Sequence, residues 1–290
     1  MNRRSSLIAL HAIVLIWGFT GILGKEISLN AVPLVFWRTL IAFLGVLGFV
    51  WIFKKKVQLS YQQVIKLALV GLLIAGHWIA FFTSIKLSNI STALTVLSTN
   101  AIFTAIVAPW IVGGKTSPRE LLMGGVGTIG LAIIFHFEGQ FALGILWSLL
   151  AALLAAVFSS FNARWVREME PVSMTLMELL FANFWVMLFI LLSPQEDFQV
   201  HLLDWRNIAL LLILGWLATS IPFIVSIEVM KKISPFTCAI AINMEPIYSI
   251  LIALYLYGSS EWMSSGFYWG AFLILAVVFI ETFWRKEPKG

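Results

Sequence analysis

The chain has 290 residues, 60% of them hydrophobic and only 11% charged, with a formal net charge of +5. Apolar runs approaching twenty residues recur along its length, and a membrane helix needs about 20 such residues, more than a soluble core helix uses. This composition excludes a soluble globular protein, and because the runs are continuous, not alternating with a period of two, it also excludes a β-barrel.

Ten spans are expected in chain order, over residues 6–24, 33–53, 64–85, 88–111, 119–136, 141–163, 172–193, 205–227, 233–257 and 266–284. Arg3-Arg4 before the first run imitates a signal peptide. The run continues to Leu23 without a small-residue cleavage site, so an uncleaved span is expected. Of the nineteen Lys and Arg, fifteen fall in loops on one side of this arrangement. Lys25, Lys86 and Arg206 lie on the other side, and Arg38 lies inside a span. The positive-inside rule then places the N and C termini in the cytoplasm. The positive charge is thus distributed as in a membrane protein, and no nucleic-acid partner is expected.

The stretch with the most chemistry is Ile242-Asn243-Met244-Glu245-Pro246, inside the ninth run. A carboxylate in the bilayer costs at least about 2.5–3.5 kcal/mol and tends to face a cavity. The proline beside it removes a backbone donor and frees carbonyls that need partners. Two costs at one point mark a candidate pathway.

Sliding the chain on itself by 146 residues places Thr99-Asn100 over Glu245-Pro246 and Lys115 over Glu261, while an offset of 140 places Arg38 over Glu178. Five spans per half would force the second half to enter from the opposite side. The expected fold is therefore all-α and polytopic, with ten transmembrane helices as two inverted five-helix repeats over residues 1–136 and 141–290.

Trp17-Gly18, Pro33, Arg38 and the series Ser234-Pro235, Glu245-Pro246 and Glu261 resemble the drug/metabolite transporter superfamily, specifically its EamA-type branch. Two positions depart from that pattern: Asn100 stands where the first half usually carries a proline, and Lys115 where it usually carries an acid. The resemblance implies a secondary carrier of small metabolites, most often an exporter, in the bacterial cytoplasmic membrane.

Depth sorts the candidate pathway residues. Glu245, His77, Trp78 and Asn100 fall near the middle of their spans, with Asn243 two residues from Glu245 and Trp17 also close to mid-span. Arg38 and Glu178 lie nearer the two mouths, and Arg38 is within reach of Glu26. Each residue also has a structural reading: Glu245 as a carboxylate satisfied by neighbouring helices, His77 and Asn100 as interhelical hydrogen bonders, and Trp17 and Trp78 as packing. Glu228 is expected to pair with Lys231 or Lys232 at the cytoplasmic edge. Glycines 18, 21 and 24 are expected to let backbones approach.

Metal and cofactor chemistry finds no foothold. There is no H-E-x-x-H motif, the single cysteine, Cys238, permits no cysteine ligand set, and no nucleotide-binding loop is present. No cofactor or metal is expected. The reading is a non-enzymatic carrier of small metabolites such as amino acids, working by alternating access, with the proton as candidate coupling ion and Glu245 either as its site or as the group that recognises a substrate amine. A channel-like facilitator or uniporter is the alternative, followed by an intramembrane enzyme.

Overall fold

A backbone in lipid must satisfy its own hydrogen bonds, and the helix does so within a single segment. In the computed structural model, which describes residues 3–114, 118–242 and 244–284, every long element is accordingly helical. Among the described residues, seven helical stretches are long and apolar enough to cross a membrane. Three of them are continuous or nearly so: α3 (Ala31–Ile52), α4 (Tyr61–Leu87) and α9 (Pro171–Leu192). A fourth, α8 (Ala142–Trp165), is entered through a short 3-10 turn.

The other three stretches are broken. The first divides into α1 (Arg3–Trp17) and α2 (Thr20–Glu26). The next divides into α5 (Ile90–Leu97) and α6 (Asn100–Val112). The last comprises α10 (Trp205–Leu212), a π-helical segment (Ile213–Ser220) and α11 (Ile221–Val229). The remaining expected spans fall on α7 (Pro118–Phe137), on the pair α12 (Pro235–Ile242) and α13 (Glu245–Tyr257), and on α14 (Ser265–Trp284).

Each break has a local cause, and hydroxyl groups take up carbonyls that a helix would have used. Thr20 Oγ1 donates to the Trp17 carbonyl at 2.8 Å, and Ser249 of α13 donates to the Gly18 carbonyl. A Cβ on Gly18 would come within 3.1 Å of the Tyr248 Cβ, so its absence lets α13 approach the break. Between α5 and α6, Thr99 Oγ1 donates to the Val96 carbonyl at 2.8 Å. In the π segment, Thr219 and Ser220 donate to the carbonyls five residues back, of Leu214 (2.7 Å) and Gly215 (2.9 Å). Pro222 has no N–H to offer the Ala218 carbonyl four residues earlier. Trp17 Nε1 fills that place at 3.1 Å.

The sequence suggests that Pro246 disrupts a helix from within. Instead the helix ends before it, and Pro246 sits in the first turn of α13, where a missing N–H costs nothing. Glu245 heads that half-helix, at the end whose dipole favours a carboxylate. The break removes the expected proline penalty and leaves the carboxylate's burial as the feature to explain.

Packing carries the rest. A Cβ on Gly270 of α14 would lie 2.5 Å from the Gly130 carbonyl oxygen of α7, and one on Gly130 would lie 2.7 Å from the Gly270 oxygen. The two backbones meet there because both side chains are missing. The helices α3 and α9 each have 22 residues, and their first residues, Ala31 and Pro171, are separated by the expected 140.

Candidate functional site

The interruptions in the three broken stretches and the one between α12 and α13 converge on one cavity of about 110 Å³. Its lining includes Trp17, Arg38, His77, Trp78, Asn100 and Glu245, six of the eight residues singled out from the sequence. Asn243 lies outside the described residues. Glu178 does not line the cavity, and is held apart from it on α9.

Arg38 is 3% exposed and is positioned by three groups from other elements. Its Nε donates to Thr219 Oγ1 at 2.8 Å, its guanidinium lies 4.2 Å from the centre of the Trp78 ring, and Phe82 approaches to 5.4 Å. Cation–π contact and one hydrogen bond hold the side chain while its terminal nitrogens remain without a hydrogen bond to any described residue. Arg38 does not pair with Glu26. That carboxylate is engaged by Arg206 and by the Tyr257 hydroxyl, the latter at 2.8 Å. Arg38 turns inward because Thr219 and Trp78 offer it partners there.

Glu245 is 7% exposed, and its one hydrogen-bond partner among the described residues is Thr20 Oγ1 at 3.4 Å. A hydroxyl has one proton to give. Thr20 places it on the Trp17 carbonyl at the better distance of 2.8 Å. The Glu245 carboxyl therefore keeps most of its hydrogen-bonding capacity for what enters the cavity. Asn100 opens α6 as Glu245 opens α13, and its Oδ1 accepts from Thr104 at 3.2 Å.

His77 joins α4 to α8 through Nδ1, which lies 2.8 Å from the Ala151 carbonyl. A carbonyl only accepts, so Nδ1 carries the hydrogen, and Nε2 remains as the ring's free acceptor in its neutral form. The interhelical role foreseen for His77 is thus present together with a place in the cavity wall. Aromatic rings make up much of that wall: Phe158 lies 5.5 Å from His77, and Phe223 lies 5.9 Å from Trp78. Trp185 and Trp216 bond to the carbonyls of Ala68 and Ile41 and do not line it.

The cavity is asymmetric along the bundle. Its lining extends to Met230 and Pro235, where α11 turns into α12 beside Lys231 and Lys232. The opposite end is strapped. Lys25 Nζ lies 2.7 Å from Glu261 Oε1 and 4.0 Å from the centre of the Tyr257 ring. Glu261 is fully buried, and its Oε2 accepts from the Ser91 N–H and hydroxyl, both at 2.9 Å, at the start of α5. Arg206 and Tyr257 meet on Glu26, and Lys86 donates to the Ile27 carbonyl at 2.8 Å. A helix N-terminus is a natural seat for a carboxylate, which accounts for the position of Glu261.

Thr219 and the strap were not foreseen as site features. Pro222 is the available signal for Thr219's neighbourhood, because it orphans the Ala218 carbonyl that Trp17 reads. In the sequence Glu261 stands out as the repeat equivalent of Lys115 and as part of the family-like series, neither of which points to the strap; Lys115 lies outside the described residues.

Comparison with known proteins agrees with this architecture. The EamA-like transporter family matches the chain twice, over residues 4–136 and 142–283. Among solved structures, one crystal structure is 15% identical and aligns with a TM-score of 0.72, covering 99% of this chain and 100% of that one. That likeness concerns the fold. No curated protein matches the chain.

Proposed function

Since the chain belongs to the EamA-like transporter family, and is thereby a multi-pass protein of the bacterial inner membrane, we propose that it is a secondary carrier exporting small metabolites such as amino acids. The carrying observation is the pair of buried, opposite charges, Arg38 and Glu245, that share one cavity and keep hydrogen-bonding capacity free. An arginine whose terminal nitrogens are open presents a fork suited to a carboxylate. A carboxylate with a single weak donor suits an ammonium group. The surrounding rings of Trp78, Phe158 and Phe223 suit an apolar or aromatic portion.

The proposed architecture is ten crossings in two inverted five-helix repeats, residues 1–136 and 141–290, with both termini cytoplasmic. The distribution of basic residues supports the orientation, and the equal lengths and spacing of α3 and α9 support the repeat. In that orientation the cavity reaches toward the cytoplasm and the strap seals the outer end. Transport then proceeds by alternating access: loading from inside, breaking of the strap, and release outside. Each ligand must bind the two states with different free energy to drive such a change. Glu245 provides a coupling site if it exchanges a proton between those states. The strap argues against the channel-like alternative, because it joins one end across distant elements through the fully buried Glu261.

The test is release of a mixed pool of labelled amino acids and small metabolites from proteoliposomes, with and without a proton gradient. Selective, saturable release that responds to the gradient, with the response lost in Glu245→Gln, is the expected result. Normal transport with unchanged gradient dependence in that variant removes Glu245 from the mechanism, and unsaturable release of many solutes favours a channel.

A further inference from the structure

Glu178 is a buried carboxylate that the cavity does not use. It is fully buried on α9, and its backbone carbonyl packs against Gly71 of α4, where a Cβ would come within 3.0 Å. Its one polar partner among the described residues is Asn162 of α8, whose Nδ2 donates to Glu178 Oε2 at 3.3 Å. The other carboxyl oxygen, Oε1, has no hydrogen-bond partner, and neither has Asn162 Oδ1 or Thr175 Oγ1. Thr175 precedes Glu178 by three residues and therefore shares its helix face. All three side chains are at least 99% buried.

This cluster lacks an internal counter-charge. The cations on the helices around it are committed elsewhere: Arg38 to Thr219 and Trp78, Lys66 over the Trp165 ring, Lys86 to the Ile27 carbonyl, and Arg164 to the Ile111 carbonyl. His77 is bound to Ala151, and Glu228 of α11 pairs with Lys231. An orphaned buried polar atom costs about 1–3 kcal/mol, and an uncompensated carboxylate costs more. The orphaned atoms are all oxygens (a carboxylate, an amide and a hydroxyl), the donor set preferred by hard cations.

We propose that Glu178, Asn162 and Thr175 form a site for one monovalent cation, a sodium ion or a proton, separate from the Arg38–Glu245 cavity. A single positive charge neutralises the single carboxylate, whereas a divalent ion would leave a net charge buried. Sodium would take the three oxygens as ligands. A proton on Glu178 would make it a donor to a neighbouring oxygen. Asn162 lies three residues beyond Ser159, which lines the cavity on the same helix, so occupancy of the site bears on the cavity wall through α8. The proposal does not depend on what the cavity carries.

The test is the thermal unfolding midpoint of the purified, detergent-solubilised protein, in sodium chloride against choline chloride at fixed ionic strength, and across a pH series without sodium. A midpoint that rises with sodium, with the rise lost in Glu178→Gln, identifies sodium. No sodium response, with a rise at lower pH that Glu178→Gln removes, identifies the proton. Thr175→Val is expected to raise the half-saturating cation concentration about tenfold, the loss of one neutral polar contact. It also serves as the test if Glu178→Gln does not fold, and an unchanged response in it then overturns the proposal. A wild-type protein that responds to neither ion, or a Glu178→Gln variant that keeps the full response, overturns it as well.

Discussion

The two ends of the helix bundle are held by different chemistry. At the strapped end, Lys25–Glu261, Tyr257–Glu26 and Arg206–Glu26 join residues 180 or more positions apart, and Glu261 is fully buried. At the other end, Lys231 and Glu228 form an ion pair three residues apart on one helical turn, with both side chains about one-third exposed. A pair within one turn ties nothing together, whereas a pair between distant elements resists their separation. On the proposed reading, this contrast puts the closure in the strap and the opening at the end where α11 turns into α12.

Four substitutions sharpen or break this contrast. The largest effect is expected for Glu261→Ala, which strips Lys25 of its partner and leaves the start of α5 without its acceptor. Lys25 is exposed enough to rehydrate, but the buried Ser91 N–H and hydroxyl are orphaned at about 1–3 kcal/mol each, so the thermal midpoint should fall by several degrees; an unchanged midpoint would deny the strap a structural role. Next is Thr219→Val, which takes away the acceptor of the Arg38 Nε–H bond, worth about 1.5–3 kcal/mol for a charged donor. Its expected readout is weaker substrate binding in saturation flux, with the fold retained by circular dichroism. Trp17→Phe keeps an aromatic ring but orphans the Ala218 carbonyl at the Pro222 break, at about 1–3 kcal/mol in thermal stability. The smallest is Lys231→Ala, where an exposed pair predicts a change of about 0–1 kcal/mol. A large effect there would overturn the assigned difference between the two ends.

Much of the site could be read from residue type and depth alone. Buried charge and histidine in lipid are costly, so Arg38, His77 and Glu245 stand out before any contact is known, and the structure brings them to one cavity with Trp17, Trp78 and Asn100. The helix breaks could not be read in the same way. Ser98-Thr99 and Thr219-Ser220 resemble ordinary small polar residues in an apolar run, and their role emerges only when their hydroxyls are seen on local carbonyls. Shared proximity to the outer face suggests Glu26 as a partner for Arg38, but pairing is decided by Arg206 and Tyr257, which arrive from distant parts of the chain. Glu178 was identified as the counterpart of Arg38. Its separation from the cavity depends on how α8 and α4 pack against α9, which no periodicity encodes.

The chain carries its own reporter for the central claim, because its single cysteine, Cys238, lines the cavity. The decisive measurement is the rate at which a membrane-impermeant methanethiosulfonate modifies Cys238 when added to either side of sealed vesicles, in the wild type and in Glu261→Gln. Wild-type modification is expected only from the side bearing Lys231 and Lys232, with a gain of modification from the opposite side when the strap is weakened. Equal rates from both sides in the wild type would contradict a cavity closed at one end and, with it, alternating access.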